Sequence, residues 1–229
     1  MDGMSELIVI SGAGGALGRA VVTEFRARQC RVAALDRAGD ALDALAEDPA
    51  VHPVAVDLAD ADAVAAAWSS VDRLGVPSAL VTVAGGFAGG GLDDLEPATL
   101  DSMIRTNVTT VLWCAKAAAS RMRSGGGGAI VTVGSRTGVT GGGPVAYAAA
   151  KAAVVRLTEV LADELRPDRI RVNTVLPSVI DTPANRSWMP SALVAKAVPP
   201  SAIAKVIAFL CGPDAWPING AAIPVYGDA

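Results

Sequence analysis

Histidine is nearly absent from this 229-residue chain, which carries only His52. A Ser-His-Asp triad or a multi-histidine metal site would depend on that single imidazole, so both are disfavoured. Cysteine is also scarce: Cys30, Cys114 and Cys211 are odd in number, widely spaced and set among apolar residues. We therefore interpret the cysteines as small core residues in a reducing compartment, and not as a disulfide framework or a zinc site.

Long apolar runs and basic tracts are missing as well. Without 18 consecutive apolar residues, a membrane-spanning helix is not expected. Without a basic tract, nucleic acid and anionic membrane are poor candidates for partners. The first residues carry acid where a secretory signal would carry base. The net charge is −4. Together, these features lead us to expect a cytoplasmic protein that acts on a small molecule.

Short apolar runs alternate with alanine-rich segments along the whole chain. Most runs are continuously apolar, which is typical of parallel strands covered on both faces. Strands are predicted at Leu7–Ser11, Arg31–Asp36, His52–Val56, Ala79–Val83, Ala129–Gly134, Arg171–Leu176 and Ala222–Val225. Helices are predicted at Ala16–Arg28, Ala41–Glu47, Ala61–Asp72, Pro97–Arg123, Val145–Arg166 and Ser201–Leu210. The alternation predicts one α/β domain over residues 1–229, a doubly wound, seven-stranded parallel sheet flanked by helices.

Four glycines fall among the eight residues that follow the first apolar run. In a doubly wound sheet, this loop lies where ligands bind and opens onto a helix N-terminus that favours an anion. The candidate phosphate-binding residues are Gly12, Gly14, Gly15, Ala16, Leu17 and Gly18. The alternative is a tight turn that needs only backbone freedom.

An acidic residue, Asp36, ends the second predicted strand, eighteen residues after Gly18. The offset resembles the ~20 residues that separate a dinucleotide loop from the carboxylate of the ribose site. Because Asp36 would repel a 2′-phosphate, it favours NAD over NADP. The neighbouring Arg37 could neutralise Asp36 or hold a phosphate, so NADP is not excluded. Asp36 could alternatively be a turn residue at a strand end.

Tyr147 and Lys151 are separated by three alanines, which places them one turn apart on one helix face. A free phenol has a pKa near ~10. A lysine cation and a positively charged nicotinamide would both lower the pKa of Tyr147. Such a phenol can protonate a carbonyl oxygen or deprotonate an alcohol. The alternative is a half-buried tyrosine beside a solvated lysine.

Two further polar residues lie where they could support this chemistry. Ser135 follows a predicted strand at the carboxyl edge of the sheet, where its hydroxyl could bind a substrate oxygen or only cap the turn. Asn107 interrupts the apolar pattern of the predicted helix Pro97–Arg123. Its side chain could bind backbone or a water near Lys151, or it could mark a helix kink.

These residues together resemble the short-chain dehydrogenase/reductase family. The resemblance to the family's catalytic tetrad rests on Asn107, Ser135, Tyr147 and Lys151, in that order. The spacing from Gly12 to Gly18 resembles the family's Gly-x3-Gly-x-Gly loop, with alanine as its middle residue. The resemblance covers essentially the whole chain. It implies a Rossmann fold and hydride transfer between NAD(H) and a ketone or secondary alcohol, with Tyr147 as the acid/base.

The same resemblance implies further cofactor contacts. They comprise Asp57 and Leu58 at the adenine and Pro177, Ser178, Val179 and Thr182 at the nicotinamide. Further cofactor contacts are Ala84, Gly85, Gly86, Tyr147 and Lys151. The chain departs from the family pattern where Thr82 and Val83 replace two asparagines and where Ser178 replaces a glycine. The interval from Ser135 to Tyr147 is one residue shorter than usual, which makes Thr137 a substitute candidate for the serine role.

Two other activities fit parts of the sequence. Residues 83–90 and 181–190 resemble dihydropteridine reductase, an NADH enzyme with a Tyr-x3-Lys pair but no catalytic serine. Ser135 therefore argues against a pterin reductase. The second alternative is a dinucleotide sensor without turnover, which an intact set of Tyr147, Lys151 and Ser135 disfavours.

Two features concern the surface of the protein. The segment Ala184–Ala197, with Trp188 and Met189, is predicted to be a short lid over the substrate pocket, the alternative being an ordinary surface helix. The long predicted helices Pro97–Arg123 and Val145–Arg166 carry small apolar residues on more than one face, which predicts a second buried surface. We therefore expect a homo-oligomer, a dimer or more specifically a tetramer.

Overall fold

The structure is a computed structural model that describes residues 6–228. Seven parallel strands form one sheet in the order β3-β2-β1-β4-β5-β6-β7. The strands are β1 Leu7–Ser11, β2 Arg31–Asp36, β3 Val51–Ala55, β4 Ala79–Thr82, β5 Gly128–Val133, β6 Ile170–Pro177 and β7 Ala222–Val225. The α-helices are α1 Ala16–Ala27, α2 Asp40–Asp43, α3 Ala61–Asp72, α4 Pro97–Ile104, α5 Thr110–Gly125, α6 Val145–Glu164, α7 Pro183–Arg186, α8 Ser191–Val194 and α9 Pro200–Cys211.

Helices cover both faces of the sheet, which is why most of its strand residues are apolar. On one face, Ile8 and Ile10 of β1 join a cluster with residues of α1 and α9, among them Phe25 and Ile207. On the other face, the alternate residues of β1 join a cluster with α3, α5 and the end of α6, including the fully buried Trp68. The result is three layers, with the sheet in the middle.

The direction of strand addition reverses beside β1, since β2 and β3 lie on one side of it and β4 to β7 on the other. The carboxyl ends of β1 and β4 border the crevice where an open α/β sheet binds ligands. Asp36 ends the adjacent β2, and Ser135 follows β5 at the same edge. The fold therefore gathers the candidate residues from separate parts of the chain along one sheet edge.

The seven predicted strands are all present, and their observed ends lie within one residue of the predicted ones. The sheet is parallel throughout the described residues, as predicted. These findings confirm the doubly wound, seven-stranded α/β fold. Within residues 6–228, no helix combines the length and the apolar character needed to cross a bilayer.

Three predicted helices differ from the observed ones by more than one residue at an end. The single helix predicted at Pro97–Arg123 is divided into α4 and α5 by the π-helical segment Arg105–Thr109. The helix predicted at Ala41–Glu47 is α-helical only as α2 and continues as a 3₁₀ segment. Helix α6 ends at Glu164, short of the predicted Arg166. The cause is Pro167, which lacks an N–H and cannot extend the helical hydrogen bonds.

Candidate active site

The glycine-rich loop after β1 is shaped by two close backbone approaches. Gly12 has φ +72°, and a Cβ there would lie 2.4 Å from the backbone nitrogen of Ala84. A Cβ on Gly18 would lie 2.0 Å from the carbonyl oxygen of Gly12. Gly15 precedes α1, and no side chain caps that helix. The backbone N–H groups of the first turn are therefore available to an anion.

Ala16, in place of the family's middle glycine, is accommodated without strain. It is the first residue of α1, and it is not among the described non-glycine residues with positive φ. A methyl group is therefore compatible with the backbone at this position. The side chain of the next residue, Leu17, is buried in the core. If Leu17 contacts a phosphate, it does so through its backbone.

The carboxylate of Asp36 links the glycine-rich loop to the end of β2. One of its oxygens accepts a hydrogen bond from the N–H of Gly14 at 2.9 Å, and the other accepts from the N–H of Arg37 at 2.8 Å. A carboxylate has about four acceptor positions, so Asp36 can still accept from a hydroxyl group. The Arg37 side chain is exposed.

The candidate adenine segment consists of Asp57, whose side chain is polar, and Leu58, whose side chain is buried. Asp57 forms an ion pair with Arg105 at 2.8 Å. A hydrogen bond from the N–H of Ala59 is the main cause that lowers the pKa of Asp57, and Arg105 and Arg37 lower it further. Leu58 is buried in the core cluster. An adenine contact through the Leu58 side chain is therefore not supported, and only its backbone can face the loop.

Lys151 is buried, with its Nζ donating a hydrogen bond to the carbonyl oxygen of Val133 at 2.8 Å. Its Nζ lies 5.9 Å from the centroid of the Tyr147 ring. Burial disfavours the ammonium form and lowers the pKa of Lys151 to about 8. The alternative of a solvated lysine beside Tyr147 is therefore wrong.

The Ser135 hydroxyl is close enough to Tyr147 to lower the pKa of its phenol. Burial raises the pKa of Tyr147 and outweighs the lowering caused by Ser135. The sequence led us to expect that Lys151 and a positively charged nicotinamide together lower this pKa, whereas in the protein without nicotinamide the pKa is raised. The physical reason is desolvation, which penalises a phenolate in an apolar site.

Ser135 contacts both the candidate acid/base and its own turn. Its Oγ lies 3.0 Å from the Thr137 Oγ1 and accepts a hydrogen bond from the Thr137 N–H at 3.3 Å. Ser135 thus caps the short 3₁₀ turn after β5 while remaining near Tyr147. Thr137, the substitute candidate from the sequence, is its direct neighbour.

Asn107 is buried in the π-helical segment and holds the loop after β4. Its amide nitrogen donates to the carbonyl oxygens of Met103 at 3.0 Å and Gly86 at 3.2 Å. Its amide oxygen accepts from the Gly86 N–H at 3.2 Å. A Cβ on Gly85 would lie 2.8 Å from the Asn107 oxygen and 3.4 Å from the Lys151 Nζ. The two side chains therefore converge on Gly85.

The loop after β6 is held by its own hydroxyl groups. The hydroxyl of Ser178, which stands where the family pattern has glycine, donates to the carbonyl oxygen of Tyr226 at 2.8 Å. The hydroxyl oxygen of Thr182 accepts from the Asn185 N–H at 3.1 Å and caps α7. Between these two residues, the carbonyl oxygen of Val179 accepts a hydrogen bond from the Val198 N–H at 2.8 Å. Pro177 ends β6 and is buried.

Comparison with known proteins decides the family. The profile described as short chain dehydrogenase matches residues 6–192. The chain belongs to the short-chain dehydrogenase family. It is 32% identical to the meso-2,3-butanediol dehydrogenase of Serratia marcescens, over 98% of this chain and 94% of that protein. As a family member, the protein is an NAD(P)-dependent oxidoreductase that acts on CH–OH or carbonyl groups.

Solved structures of related proteins have the same fold. An oxidoreductase of the short-chain dehydrogenase/reductase family from Burkholderia thailandensis is 34% identical, with a TM-score of 0.89, over 98% of this chain and 92% of that one. The 3-ketoacyl-(acyl-carrier-protein) reductase of Brucella melitensis, complexed with NADH, is 26% identical, with a TM-score of 0.90, over 96% of each chain. The Rossmann fold that the resemblance implied is therefore confirmed.

The residues of this dehydrogenase fit a nicotinamide dinucleotide. The uncapped N-terminus of α1 suits a pyrophosphate, and Asp36 has free acceptor positions beside it for a ribose hydroxyl. A β-carbon is excluded at Gly12 and Gly18 by neighbouring backbone, which keeps the loop tightly wound. These contacts would hold the dinucleotide along the crevice between β1 and β4.

Two aromatic side chains, Phe87 and Trp188, lie near the candidate acid/base Tyr147 of the dehydrogenase. The sequence did not place them together. The Phe87 ring meets Tyr147 edge-on, with centroids 5.1 Å apart. Phe87 also stacks on Trp188 of the predicted lid, at 6.0 Å and an interplanar angle of 12°. Phe87 could have been singled out from its position directly after Gly85 and Gly86. Its contact with Trp188 depends on the fold.

Proposed function

We propose that this dehydrogenase transfers hydride between NAD(H) and a ketone or secondary alcohol, with Tyr147 as the acid/base. The observation that carries the proposal is the convergence of Tyr147, Ser135 and a buried Lys151 at the carboxyl edge of the sheet. The named activity of the Serratia relative, on a small diol, supports a secondary alcohol as the substrate.

Each side chain has a distinct role in the proposed reaction. The hydroxyl groups of Tyr147 and Ser135 bind the substrate oxygen, and Tyr147 gives a proton to it during reduction or accepts one during oxidation. The ammonium group of Lys151 favours the phenolate when the proton has left. Asn107 fixes the loop at Gly86 and thereby the space above Lys151. A bound nicotinamide ring supplies or accepts the hydride.

We propose NAD(H) as the preferred form of the cofactor. The Asp36 carboxylate lies against the glycine-rich loop, 2.9 Å from the Gly14 nitrogen. A ribose 2′-hydroxyl can donate to this carboxylate, whereas a 2′-phosphate would be repelled by it. Arg37 is exposed and could reduce this discrimination without removing it.

We also propose that residues 1–229 form a single domain with a lid at about 184–197. The segment contains α7 and α8, and Leu193 of α8 lines a cavity beside Thr137. The stacking of Trp188 on Phe87 connects the lid to the acid/base residue. This arrangement supports a lid that covers the reacting centre and does not resemble an isolated surface helix.

Replacement of Tyr147 by phenylalanine tests the proposed chemistry. Purified wild-type protein and Tyr147→Phe are titrated with NADH, followed by nicotinamide fluorescence, and then assayed with ketones, secondary alcohols and a quinonoid pterin. We expect NADH affinity to change less than about twofold and ketone reduction to fall at least about 100-fold, because the ring remains and the proton donor is lost.

The other outcomes separate the competing functions. Turnover of the pterin alone would identify a pterin reductase. NADH binding without turnover of any substrate would identify a dinucleotide sensor. Ketone reduction that survives in Tyr147→Phe would show that the proton comes from another group.

A further inference from the structure

A cavity of about 500 Å³ lies beside the candidate active site, between the turn after β5 and the lid helix α8. Its lining includes Arg136, Thr137, Ser178, Leu193 and Lys196. Among residues 6–228, none that lines this cavity is acidic. The lining therefore includes two cationic residues and, in the described part of the chain, no acidic residue to balance them.

The two cations are not neutralised by ion pairs elsewhere. Within residues 6–228, neither Arg136 nor Lys196 takes part in a salt bridge. Asp181, the acidic residue of the loop that borders the cavity, is paired with Arg186 instead. The cavity lining therefore carries an excess of positive charge that an anionic ligand can neutralise.

The guanidinium group of Arg136 is held in place by a contact that depends on Ser178. The Arg136 guanidinium carbon lies 5.3 Å from the centroid of the Tyr226 ring, within the range of a cation–π interaction. The Tyr226 backbone is in turn fixed by the Ser178 hydroxyl at 2.8 Å. A guanidinium group held in this way loses less conformational entropy when it binds an anion.

The cavity lies next to the reacting centre. Thr137 lines the cavity, and its Oγ1 lies 3.0 Å from the Oγ of Ser135. Arg136 is the residue directly after Ser135. A substrate whose carbonyl oxygen binds Ser135 and Tyr147 can therefore extend the rest of its chain into this cavity, toward Arg136 and Lys196.

We propose that the substrate is acidic: a keto acid, or the corresponding hydroxy acid, whose carboxylate binds Arg136 and Lys196. The planar guanidinium of Arg136 can form two parallel hydrogen bonds to a carboxylate, and Lys196 adds a point charge from the lid. Because Lys196 follows α8, carboxylate binding draws the lid toward the turn after β5. This assignment of the substrate class rests on the proposed oxidoreductase function.

The test compares short methyl-ketone carboxylic acids, such as 4-oxopentanoate, with their methyl esters. The members of each pair have the same ketone and differ in charge. We expect kcat/KM for the best acid to exceed that for its ester at least about tenfold. Arg136→Met and Lys196→Met should each reduce this acid-to-ester ratio by about tenfold, whereas Lys196→Arg should retain most of it.

Lys205→Met is the matched control, because Lys205 is an exposed lysine of α9 that does not line the cavity. Lys205→Met should leave kcat/KM for the acid and kcat/KM for its ester unchanged. If Arg136→Met does not fold, Lys196→Met on the exposed lid supplies the same measurement. An acid-to-ester ratio near one in the wild-type protein, or a ratio that neither variant alters, would overturn the proposal.

A binding measurement separates this proposal from the proposed function. 4-Oxopentanoate and its methyl ester are titrated into the protein with saturating NAD⁺, which has no hydride to transfer to a ketone, and binding is followed by tryptophan fluorescence. If neutral ketones are reduced but no acid binds more tightly than its ester, the oxidoreductase function stands and the acidic substrate class is refuted. If nothing is reduced but the acid binds with dependence on Arg136 and Lys196, the anion site stands and the proposed function is refuted.

Discussion

Tyr147 and Lys151 are both shifted by burial toward their neutral forms. The pKa of Tyr147 is raised, so the protein alone holds the proton on the phenol at neutral pH. Lys151, with a pKa of about 8, is still mostly cationic there. A protonated phenol beside an ammonium group suits proton donation to a carbonyl. Oxidation of an alcohol requires the phenolate, and its rate should therefore increase with pH.

The burial of Lys151 leads to a prediction about how the free energy of unfolding depends on pH. Its pKa in the folded chain, about 8, lies below the ordinary 10.5, so the unfolded chain binds more protons between these values. The wild-type free energy of unfolding should therefore rise with pH in this range, relative to Lys151→Met, by about 2 kcal/mol from pH 7.5 to 9.5. Urea unfolding of both proteins at each pH measures the difference.

The same variant separates stability from activity. Lys151→Met should lose most ketone reduction while unfolding at a urea concentration no lower than wild type at pH 7.5, since the cost of burying an ammonium group is removed. Parallel pH dependences of the two unfolding free energies would show that Lys151 is not desolvated in the folded protein.

Asp36 makes a prediction about cofactor choice. Asp36→Ala should weaken NADH binding and strengthen NADPH binding, because the acceptor for a ribose hydroxyl and the repulsion of a 2′-phosphate disappear together. Fluorescence titrations with both dinucleotides should show the ratio of their dissociation constants changing at least about tenfold. Tighter binding of NADPH than NADH by the wild-type protein would contradict the assignment and favour control by Arg37.

At the scale of elements, burial on both faces made the strands predictable. The core strand β1 is apolar from Leu7 to Ile10 and has no competing helical pattern, so its limits follow from composition. The break between α4 and α5 could not be predicted in the same way. Asn107 bonds to Gly86, twenty-one residues earlier, and local periodicity does not contain that contact. The four-residue helices α7 and α8 are too short for a periodic signal.

The close packing where β1 joins α1 leads to a prediction about a substitution in the first turn of α1. Alanine ordinarily stabilises a helix relative to glycine by about 1 kcal/mol. At Gly18, however, the added Cβ would lie 2.0 Å from the Gly12 carbonyl oxygen, and backbone must move to relieve this contact. Gly18→Ala should therefore lower the free energy of unfolding by about 1–3 kcal/mol and weaken NADH binding at least about tenfold.

Gly89→Ala is the matched control for this change, because a Cβ there meets no atom within 4 Å. It should leave NADH binding and stability near their wild-type values. Unaltered NADH affinity in Gly18→Ala would mean that the loop has room to shift and that its tight winding is not needed for the dinucleotide.

For the whole molecule, sequence identified the site residues that form local patterns and missed those that meet only in the fold. Tyr147 and Lys151 were recognisable because one helical turn separates them. Arg136 and Lys196 are sixty residues apart and line one cavity only because the lid returns over the turn after β5. Fold-dependent pairs of this kind define the proposed substrate class, whereas the local patterns define the chemistry.

The outer surface of α5 and α6 supports the prediction of a homo-oligomer. Ala115 and Ala118 of α5 are buried in the core, as its inner face requires. On the outside, Leu112 of α5 is 38% exposed and Val160 of α6 is 43% exposed. A helix that packs only on its own sheet has no need for apolar side chains at such positions. Isologous pairing of two copies would bury them.

We therefore predict a homotetramer in which this surface forms one interface. Sedimentation at micromolar protein should give about four times the chain mass of 23.0 kDa. Leu112→Glu combined with Val160→Glu should reduce the assembly to dimers or monomers, because two carboxylates would be buried without partners. Val76→Glu, a change at a 51% exposed apolar residue outside both helices, should leave the assembly intact. A wild-type species of 23.0 kDa would contradict the prediction, and the exposed side chains of α5 and α6 would then face solvent.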